Sequence, residues 1–300
     1  MNPLNNMIVS SLQLFPKSIV KRFALRYIAG EHVEDAVRLV RSLNAGRIMA
    51  TVDVLGENVS DKSDAEKSSS AAREVLKVIA ENKLDANLSI KLTQFGLNID
   101  KDFCYSNVKP VMDLAKSYGN FVRIDMEDSG TTSTTLGIYE KFRADGYDNT
   151  GVVIQAYMRR SESDVRRLID MKASVRLCKG IYIEPEDIAF KKREEIRQNY
   201  ILLLNMLLEG GCKVGIATHD DYLIRSAYDA IARLNVQRNN FEFQMLLGVR
   251  SDLRDRIVAD GHRLRIYVPF GEQWYAYSMR RFKENPQVAG YVLKSVLFGQ

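Results

Sequence analysis

The sequence predicts an α/β fold, a distorted (β/α)8 barrel of the TIM type preceded by amino-terminal helices. Eight short runs rich in Val, Ile and Leu recur along the 300 residues, and each is followed by a longer segment of helical character. Strands that alternate with helices form parallel sheets, and eight such units match a closed barrel in number and length. An open doubly wound sheet is the competing architecture, but the chain contains neither a G-x-G-x-x-G pattern nor a Walker A loop.

The elements follow one another in a regular order. The strands are predicted at residues 48–54, 88–92, 121–126, 152–157, 174–178, 213–218, 241–246 and 264–268. The helices between them are predicted at residues 64–81, 107–118, 134–144, 161–171, 186–208, 221–234 and 252–259, with a last helix at 272–283. Residues 1–46 are expected to form an amino-terminal helical segment, and residues 47–300 the catalytic barrel with its carboxyl-terminal helix and tail.

Two local signals mark the ends of elements. Ser161 and Asp164 have the spacing of an N-cap residue and its capping-box partner, which predicts a helix that begins just after Ser161. Pro269 and Pro286 are expected outside the elements that they flank, because proline interrupts backbone hydrogen bonding. The two prolines would then frame the last helix.

The charge of the chain is small and local. It has 43 basic and 38 acidic residues, a net charge of +5, and residues 1–30 contain four of the basic residues and no acid. A nucleic-acid binder usually concentrates a larger surplus in one patch, so we expect no nucleic-acid partner. Apolar residues in the basic segment follow helical spacing. They predict a helix packed on the barrel or, alternatively, one in transient contact with an anionic membrane surface.

Cysteine and histidine spacing predicts no metal site. The three cysteines and three histidines form no C-x-x-C or H-E-x-x-H pattern, which also favours a reducing compartment. No apolar run approaches the roughly 18 residues of a membrane span. The start of the chain lacks the pattern of a secretory signal. We therefore expect a cytoplasmic protein with at most peripheral contact at the inner face of a membrane.

Polar side chains are predicted at the carboxyl ends of the strands, where the catalytic residues of TIM barrels lie. A polar group within an otherwise apolar strand carries a desolvation cost and needs a partner, so its recurrence on every strand indicates a site. The residues concerned are Asp53, Lys91, Asp125, Glu127, Gln155, Arg176, Lys179, Thr218, His219, Gln244 and Tyr267.

These residues also have purely structural interpretations. Lys91 could be a strand-end cation paired with Asp125, and Asp125 could simply bridge neighbouring strands. His219 could be a satisfied structural histidine. Arg176 points away from its two apolar strand neighbours, so it lines the barrel interior or lies under a helix. An interior guanidinium needs an acceptor, which an anionic or carbonyl-rich ligand would provide.

The last predicted helix combines aromatic and basic residues. Tyr277, Arg280, Arg281 and Glu284 are spaced so that they share one side of a helix. Adjacent arginines beside a carboxylate can form a solvated surface network, whereas the neighbouring aromatic residues favour a lined pocket. In a pocket, the two guanidiniums would clamp a carboxylate or a phosphate.

Several motifs resemble those of the proline dehydrogenases. RLCKGIY at residues 176–182 is similar to the RLVKGAY motif of that family, and ATHD at residues 217–220 is similar to its ATHN or ATHD strand end. Cys178 and Ile181 stand where the family usually has Val and Ala. Further blocks match, in family order, at residues 91–94, 123–127, 243–248, 265–271, 275–281 and 284–286.

The resemblance implies a flavoenzyme that binds FAD non-covalently. It would oxidise L-proline to Δ1-pyrroline-5-carboxylate by hydride transfer to FAD, the first step of proline catabolism. Arg280 and Arg281 would hold the proline carboxylate. Lys91 would assist them and would pair with Glu284 or Asp125.

The remaining roles implied by the resemblance concern the proline ring and the cofactor. Tyr267, Tyr277 and Leu246 would form an apolar wall against the ring, and the bulk of Tyr267 favours unsubstituted proline over hydroxyproline. Arg176 would approach the flavin N5 region and Gln155 its pyrimidine edge. The other implied cofactor contacts are Lys179, Gly180, Ile181, Tyr182, Thr218, His219, Gln244 and Arg281.

The resemblance also implies partners, namely a quinone as electron acceptor and a pyrroline-5-carboxylate dehydrogenase downstream. No aldehyde dehydrogenase segment is recognised, so the chain resembles the monofunctional form. Two other functions stay open. A Schiff-base lyase or aldolase on the same barrel would use Lys91 or Lys179 as the amine nucleophile. A non-catalytic basic binding module would bind nucleic acid in a salt-dependent manner.

Overall fold

Eight parallel strands form a closed barrel. The computed structural model describes residues 20–21, 24–275 and 277–279. The strands are β1 (Met49–Val54), β2 (Ala86–Ile90), β3 (Val122–Ile124), β4 (Thr150–Gln155), β5 (Ser174–Cys178), β6 (Lys213–Ala217), β7 (Phe241–Leu246) and β8 (Leu264–Phe270). Each strand pairs with the next along the chain, and β8 pairs in parallel with β1 to close the circle, with Val52 opposite Val268. The predicted TIM-type fold is confirmed.

The helices surround the barrel. Their bounds are α1 (Val33–Ala45), α2 (Lys62–Glu81), α3 (Lys101–Ser117), α4 (Ser129–Ala144), α5 (Ser161–Asp170), α6 (Arg193–Glu209), α7 (Asp221–Arg233) and α8 (Ser251–Ala259), with a 3-10 turn at Leu92–Phe95. Outward side chains of the strands are apolar and pack against these helices. In β5, Val175 and Leu177 are fully buried, and the Tyr200 hydroxyl of α6 donates to the Leu177 carbonyl at 3.0 Å.

The barrel interior holds large polar side chains where many TIM barrels have branched apolar ones. Arg123 of β3 lies inside, and its Nη1 donates to the carbonyl oxygens of Val152 and Ser174 at 3.0 and 2.6 Å. Gly151 lies opposite Arg123 on β4, and a Cβ there would lie 2.3 Å from the Arg123 Nη1. A glycine on one strand thus makes room for a guanidinium on the next.

The segment before α1 packs at the carboxyl ends of the strands. Val20 and Ala24 are fully buried in a cluster with Leu55, which directly follows β1, and with Trp274. The described residues of the predicted apolar stripe, Val20, Ala24, Tyr27 and Ile28, are therefore buried, which favours the packed-helix interpretation over membrane contact. Within the ranges that the structure describes, no helix is both long and apolar enough to cross a bilayer.

Three helices begin at least five residues away from their predicted start, and one of them is α4, which begins at Ser129 rather than at residue 134. Helix α3 begins at Lys101 rather than at residue 107, because the Asp100 carboxylate caps it by accepting from the Phe103 amide at 2.7 Å. Helix α6 begins at Arg193 rather than at residue 186, and the residues before it belong to a long loop after β5. That loop lengthens the connection at the end of the barrel where the site lies.

The cap predicted at Ser161 is wrong. Arg160 is the N-cap residue, and Ser161 is the first residue inside α5. The Ser161 hydroxyl donates to the Gln155 carbonyl at 2.6 Å, at the end of β4. The Asp164 carboxylate accepts from the Arg160 guanidinium at 2.7 and 3.0 Å. A buried carbonyl at the end of the preceding strand is therefore the partner of Ser161 in place of the cap that the spacing predicted.

The placement predicted for Pro269 is also wrong, since this residue lies inside β8 opposite Asp53. The pairing of β8 with β7 ends at Tyr267, so no amide donor toward β7 is needed at Pro269. The Pro269 carbonyl instead accepts from the Ala29 amide at 2.8 Å. Of the helix predicted at 272–283, residues 274–275 and 277–279 are helical. Pro286 lies outside the described residues.

Candidate active site

A buried carboxylate connects four strands at the carboxyl-terminal end of the barrel. Asp125 directly follows β3, and its Oδ1 accepts from the Ser89 hydroxyl at 2.6 Å and from Arg176 Nη1 at 2.7 Å. Its Oδ2 accepts from the Tyr267 hydroxyl at 2.8 Å. Burial and then the Asp125 charge raise the pKa of Tyr267 well above its ordinary value, so the phenol keeps its proton and donates. Asp125 thus positions both a guanidinium and a phenol.

Arg176 lies inside the barrel, so its predicted alternative placement under a helix is wrong. Its Nε donates to Gln244 Oε1 at 2.6 Å, and its Nη1 donates to Asp125. The centre of the guanidinium lies 5.2 Å from the centroid of the Tyr267 ring, a cation–π distance. The acceptors that an interior guanidinium needs are therefore provided by the protein itself.

Lys91 pairs with Asp53, and the predicted pairing of Lys91 with Asp125 is wrong. Lys91 Nζ lies 2.9 Å from both carboxylate oxygens of Asp53, which is fully buried. Burial by itself lowers the pKa of Lys91, but the Asp53 and Asp125 carboxylates outweigh it and raise the pKa above its ordinary value. Lys91 therefore stays charged. A charged ammonium is not a nucleophile, which argues against the Schiff-base mechanism at this lysine.

Gln155 and Glu127 fix the ends of β3 and β4. Gln155 is the last residue of β4, and its Nε2 donates to the Glu127 carbonyl at 2.8 Å. The Glu127 carboxylate accepts from the Thr93 amide at 3.1 Å and also from the Thr93 hydroxyl. Burial raises the pKa of Glu127 despite these hydrogen bonds. The hydrogen bond from Gln155 to the Glu127 carbonyl holds the amide in one orientation next to β5, the strand that carries Arg176.

Three cations surround Asp220, which caps the start of α7. The Asp220 carboxylate accepts from Arg197 at 3.0 and 2.7 Å, and Lys179 and Arg193 approach it to 3.6 and 3.5 Å. Burial raises the pKa of Asp220, but the hydrogen bond from Arg197 and the positive charges outweigh it and lower the pKa. Asp220 stays ionised and balances one of three positive charges. The cluster therefore keeps a positive charge that can attract an anion.

The loop after β5 begins with a tight approach of backbone to an aromatic ring. Gly180 has φ +106°, a conformation that favours glycine, and a Cβ there would lie 2.1 Å from the Tyr157 ring. Tyr182 is half-buried, whereas Ile181 is 47% exposed and Ile183 is 94% exposed. Apolar side chains are thus exposed beside the cationic cluster.

His219 joins the ends of β6 and β7. Its Nε2 accepts from the Leu246 amide at 2.9 Å, an arrangement that places the imidazole proton on Nδ1. Thr218 is buried, and its hydroxyl accepts from the Asp220 amide at 3.2 Å. This bond is one that a structural histidine would make, and it holds the half-buried Leu246 at the site.

The remaining predicted residues follow β8. Tyr277 is buried in the cluster formed by Leu55, Trp274 and the amino-terminal segment. Arg280, Arg281 and Glu284 lie outside the described residues. Among the side chains that the structure does describe, no group of three or more His, Cys, Asp or Glu is arranged to hold a metal ion.

Comparison with known proteins identifies the chain. A sequence model of the family described as proline dehydrogenase matches residues 36–293. The chain belongs to the proline dehydrogenase family. Proline dehydrogenase 1 of Bacillus subtilis (strain 168) is 35% identical over 288 residues, which cover 96% of this chain and 95% of that protein. The proline dehydrogenase of Deinococcus radiodurans is 34% identical over 286 residues, covering 92% and 90% of the two chains.

The barrel is also similar to part of larger family members. The structure of proline utilization A from Bdellovibrio bacteriovorus, inactivated by N-propargylglycine, superposes with a TM-score of 0.83 and 27% identity. The similarity covers 88% of this chain and 33% of that one. The bifunctional PutA protein of Escherichia coli is 25% identical, over 89% of this chain and 24% of its own length. The chain therefore matches monofunctional proline dehydrogenases over nearly their whole length and bifunctional ones over a part.

Sequence reasoning missed three polar residues of this family member's barrel, namely Ser89, Thr93 and Glu242. Ser89 lies two residues before Lys91 and Glu242 two residues before Gln244, so each shares the inward face of its strand with a predicted site residue. This period of two is a signal that could have found both of them. Thr93 lies in a 3-10 turn, where that period does not apply.

Proposed function

We propose that this chain oxidises L-proline to Δ1-pyrroline-5-carboxylate with FAD as cofactor, as the first step of proline catabolism. Family membership supports the reaction. The observation that carries it to these residues is the buried Arg176–Asp125–Tyr267 cluster at the carboxyl ends of the strands, where TIM barrels bind their substrates.

The donor set at the ends of β4, β5 and β6 fits FAD. Lys179 and Arg193 provide the positive charge that a diphosphate needs, since Asp220 is already held by Arg197. Arg176 and Gln155 would face the flavin ring, and their fixed side chains suit a rigid planar partner. The other proposed contacts are Gly180, Ile181, Tyr182, Thr218, His219, Gln244 and Arg281.

The reaction removes a hydride from the ring CH2 carbon next to the nitrogen of proline, and a proton from the nitrogen itself. The chemistry that FAD supplies when bound is acceptance of this hydride. The residues of the chain bind and orient the substrate. Arg280 and Arg281 are proposed to hold the carboxylate with the help of Lys91, and Glu284 is proposed as an anionic partner of Lys91. Fixing one end of a five-membered ring is enough to orient the reacting carbon.

The wall of the substrate site is proposed to consist of Leu246, Tyr267 and Tyr277. The Tyr267 hydroxyl is held by Asp125 and its ring lies against the Arg176 guanidinium, so its orientation is fixed from two sides. Leu246 is fixed through its amide by His219. A rigid wall of this kind favours an unsubstituted ring, because a ring hydroxyl would have to fit against a phenol that does not move.

The proposed partners follow from the family. We propose a membrane quinone as the final electron acceptor and a pyrroline-5-carboxylate dehydrogenase as the enzyme that consumes the product. The proposed location is the cytoplasm, with at most peripheral contact at the inner face of a membrane. Val20 and Ala24 of the amino-terminal segment are buried, so any such contact would be made by other residues of the surface.

An anaerobic absorbance measurement tests the proposed function. The full-length chain, purified with FAD, should lose its visible flavin absorbance when L-proline is added without oxygen. D-proline is the matched control, because its carboxylate can bind while its ring does not present the hydride correctly. It should bleach the flavin far more slowly. A chain that takes up no FAD, or that stays yellow in excess L-proline, would contradict the proposal.

A further inference from the structure

A chain of hydrogen bonds runs along the barrel interior from β7 to the candidate active site. Glu242 Oε1 accepts from Gln244 Nε2 at 2.8 Å, and Gln244 Oε1 accepts from Arg176 Nε at 2.6 Å. Arg176 Nη1 in turn donates to Asp125 Oδ1 at 2.7 Å. The two ends of this chain differ in position, because Glu242 borders a cavity at the amino-terminal end of the barrel while Asp125 lies at the carboxyl-terminal end.

The orientation of the Gln244 amide follows from its two partners. An ionised carboxylate can only accept hydrogen bonds, and a guanidinium can only donate them. The amide must therefore present its NH2 group to Glu242 and its oxygen to Arg176. If the amide were rotated by half a turn, it would place a donor against the Arg176 donor and an acceptor against a carboxylate. Glu242 thus fixes the amide orientation from the side opposite Arg176 and holds the oxygen toward the guanidinium.

Glu242 is held in its ionised form by arginines. Arg265 donates to it through Nε at 2.5 Å and Nη2 at 3.2 Å, and Arg263 approaches to 3.6 Å. Burial raises the pKa of Glu242, but the Arg265 charge and the hydrogen bonds from Arg265 and Gln244 outweigh it and lower the pKa below its ordinary value of 4.5. The carboxylate therefore accepts, and does not donate, at neutral pH.

Packing also restricts Gln244. Gly215 of β6 lies beneath its amide, and a Cβ at that position would lie 2.4 Å from Gln244 Nε2 and 2.7 Å from its Cδ. Gly215 also stands opposite Arg176 in the pairing of β5 with β6, so the glycine that makes room for the amide lies beside the residue that the amide meets. Both polar groups of the amide are used inside the protein. Gln244 is thus placed to orient Arg176, and its proposed contact with the cofactor would use the hydrogen-bonding capacity that remains.

We propose that Glu242 is a positioning residue for proline oxidation, which orients Arg176 through the amide of Gln244 without touching substrate or cofactor. This inference rests on the proposed function for its catalytic consequence, because Arg176 is the proposed neighbour of the flavin ring. Its structural part, the orientation of Arg176 by Glu242, is independent of the reaction. The two parts are therefore tested by different measurements.

The structural part is tested by hydrogen exchange at the Arg176 Nε–H group. Its NMR signal in the full-length chain, assigned by its loss in Arg176→Lys, should exchange slowly. In Glu242→Gln the residue 244 amide no longer faces a group that can only accept, so it is fixed from the Arg176 side alone. Exchange should become at least about tenfold faster, because the acceptor of a buried donor is less firmly held. Asp148→Asn is the matched control. It removes one acidic charge from the border of the same cavity, paired there with Arg143 at 3.1 Å, and should leave the signal unchanged.

The catalytic part is tested by the rate of flavin reduction per bound FAD. Glu242→Gln should lower the limiting rate of reduction by L-proline by about tenfold, while the half-saturating proline concentration stays within about threefold, because the carboxylate clamp is untouched. Asp148→Asn should reduce at the wild-type rate. A merely structural role for Glu242 would lower thermal stability and FAD occupancy and leave the rate per bound FAD unchanged, and this result would overturn the proposal.

A charge-swapped double variant keeps the proposal testable if Glu242→Gln folds poorly. In Glu242→Gln/Gln244→Glu, the carboxylate at position 244 accepts directly from Arg176, and the net buried charge is unchanged. Slow exchange at Arg176 Nε–H should return. Fast exchange in this folded variant would overturn the proposal. If wild-type enzyme shows slow exchange that Glu242→Gln abolishes but no reduction by proline, the positioning of Arg176 stands and the proposed function fails.

Discussion

Three buried cations of the barrel interior are each paired with a particular carboxylate, whereas the buried Arg123 donates to backbone carbonyl oxygens. Lys91 is matched by Asp53, Arg176 by Asp125, and Arg265 by Glu242. Removing one member of a buried pair leaves an uncompensated charge, which costs more than the pair itself contributes. The interior is therefore stable as a set of pairs, and single charge-removing substitutions should be severe.

The Lys91–Asp53 pair provides a direct test of this cost. Lys91→Met should lower the free energy of unfolding by about 3–5 kcal/mol, because it leaves the fully buried Asp53 carboxylate without its cation. Burial already raises the pKa of Asp53. Asp53→Asn/Lys91→Met should recover a large part of the loss, because the uncompensated charge is gone. Denaturant unfolding of the three proteins measures this, and a double variant less stable than Lys91→Met would contradict the explanation.

At the scale of elements, strand positions were predictable and helix beginnings were less so. The predicted and observed bounds of β5 and β7 coincide, because apolar outward residues and polar inward ones alternate along them. The cap at Ser161 failed because the side chain bonds instead to the Gln155 carbonyl, six residues earlier at the end of β4. The spacing of residues along the sequence also cannot predict ion pairs between residues that lie far apart in the chain, such as Lys91 and Asp53.

The connection between the amino-terminal segment and the loop after β7 depends on one glycine. Gly248 has φ +72°, and a Cβ there would lie 2.0 Å from the Arg26 carbonyl oxygen. The Arg26 Nε also donates to the Gly248 carbonyl at 3.1 Å. The two segments are in contact through backbone atoms, so neither can move aside by changing a rotamer.

Gly248→Ala should therefore loosen the amino-terminal segment. Gly119→Ala is the matched control, since Gly119 has φ +63° and a Cβ there would meet nothing within 4 Å. The control should cost only the left-handed backbone penalty of about 1–2 kcal/mol. Gly248→Ala should cost more and should also speed tryptic cleavage at Lys21 and Arg26. Equal stability and equal cleavage in the two variants would show that the contact does not hold the segment.

At the scale of the whole molecule, closure of the barrel brings the strand-end residues together into one site. The sequence was enough to predict eight βα units and to place Asp125, Arg176 and Tyr267 at the carboxyl ends of their strands. It could not predict that the Asp125 carboxylate would accept hydrogen bonds from both Arg176 and Tyr267, because the ends of β3, β5 and β8 come together only in the closed sheet. The polar chain from Glu242 likewise exists only inside a barrel.

The central claim is that the cluster around Asp125 is where proline is oxidised. Rapid mixing of the FAD-loaded chain with L-proline, without oxygen, tests it most directly. Asp125→Asn should take up FAD but reduce it at least about a hundredfold more slowly, because the charge that holds Arg176 and Tyr267 is lost. Asp148→Asn, with an acid removed far from the cluster, should match the wild type. An Asp125→Asn protein that reduces its flavin at the wild-type rate would contradict the account.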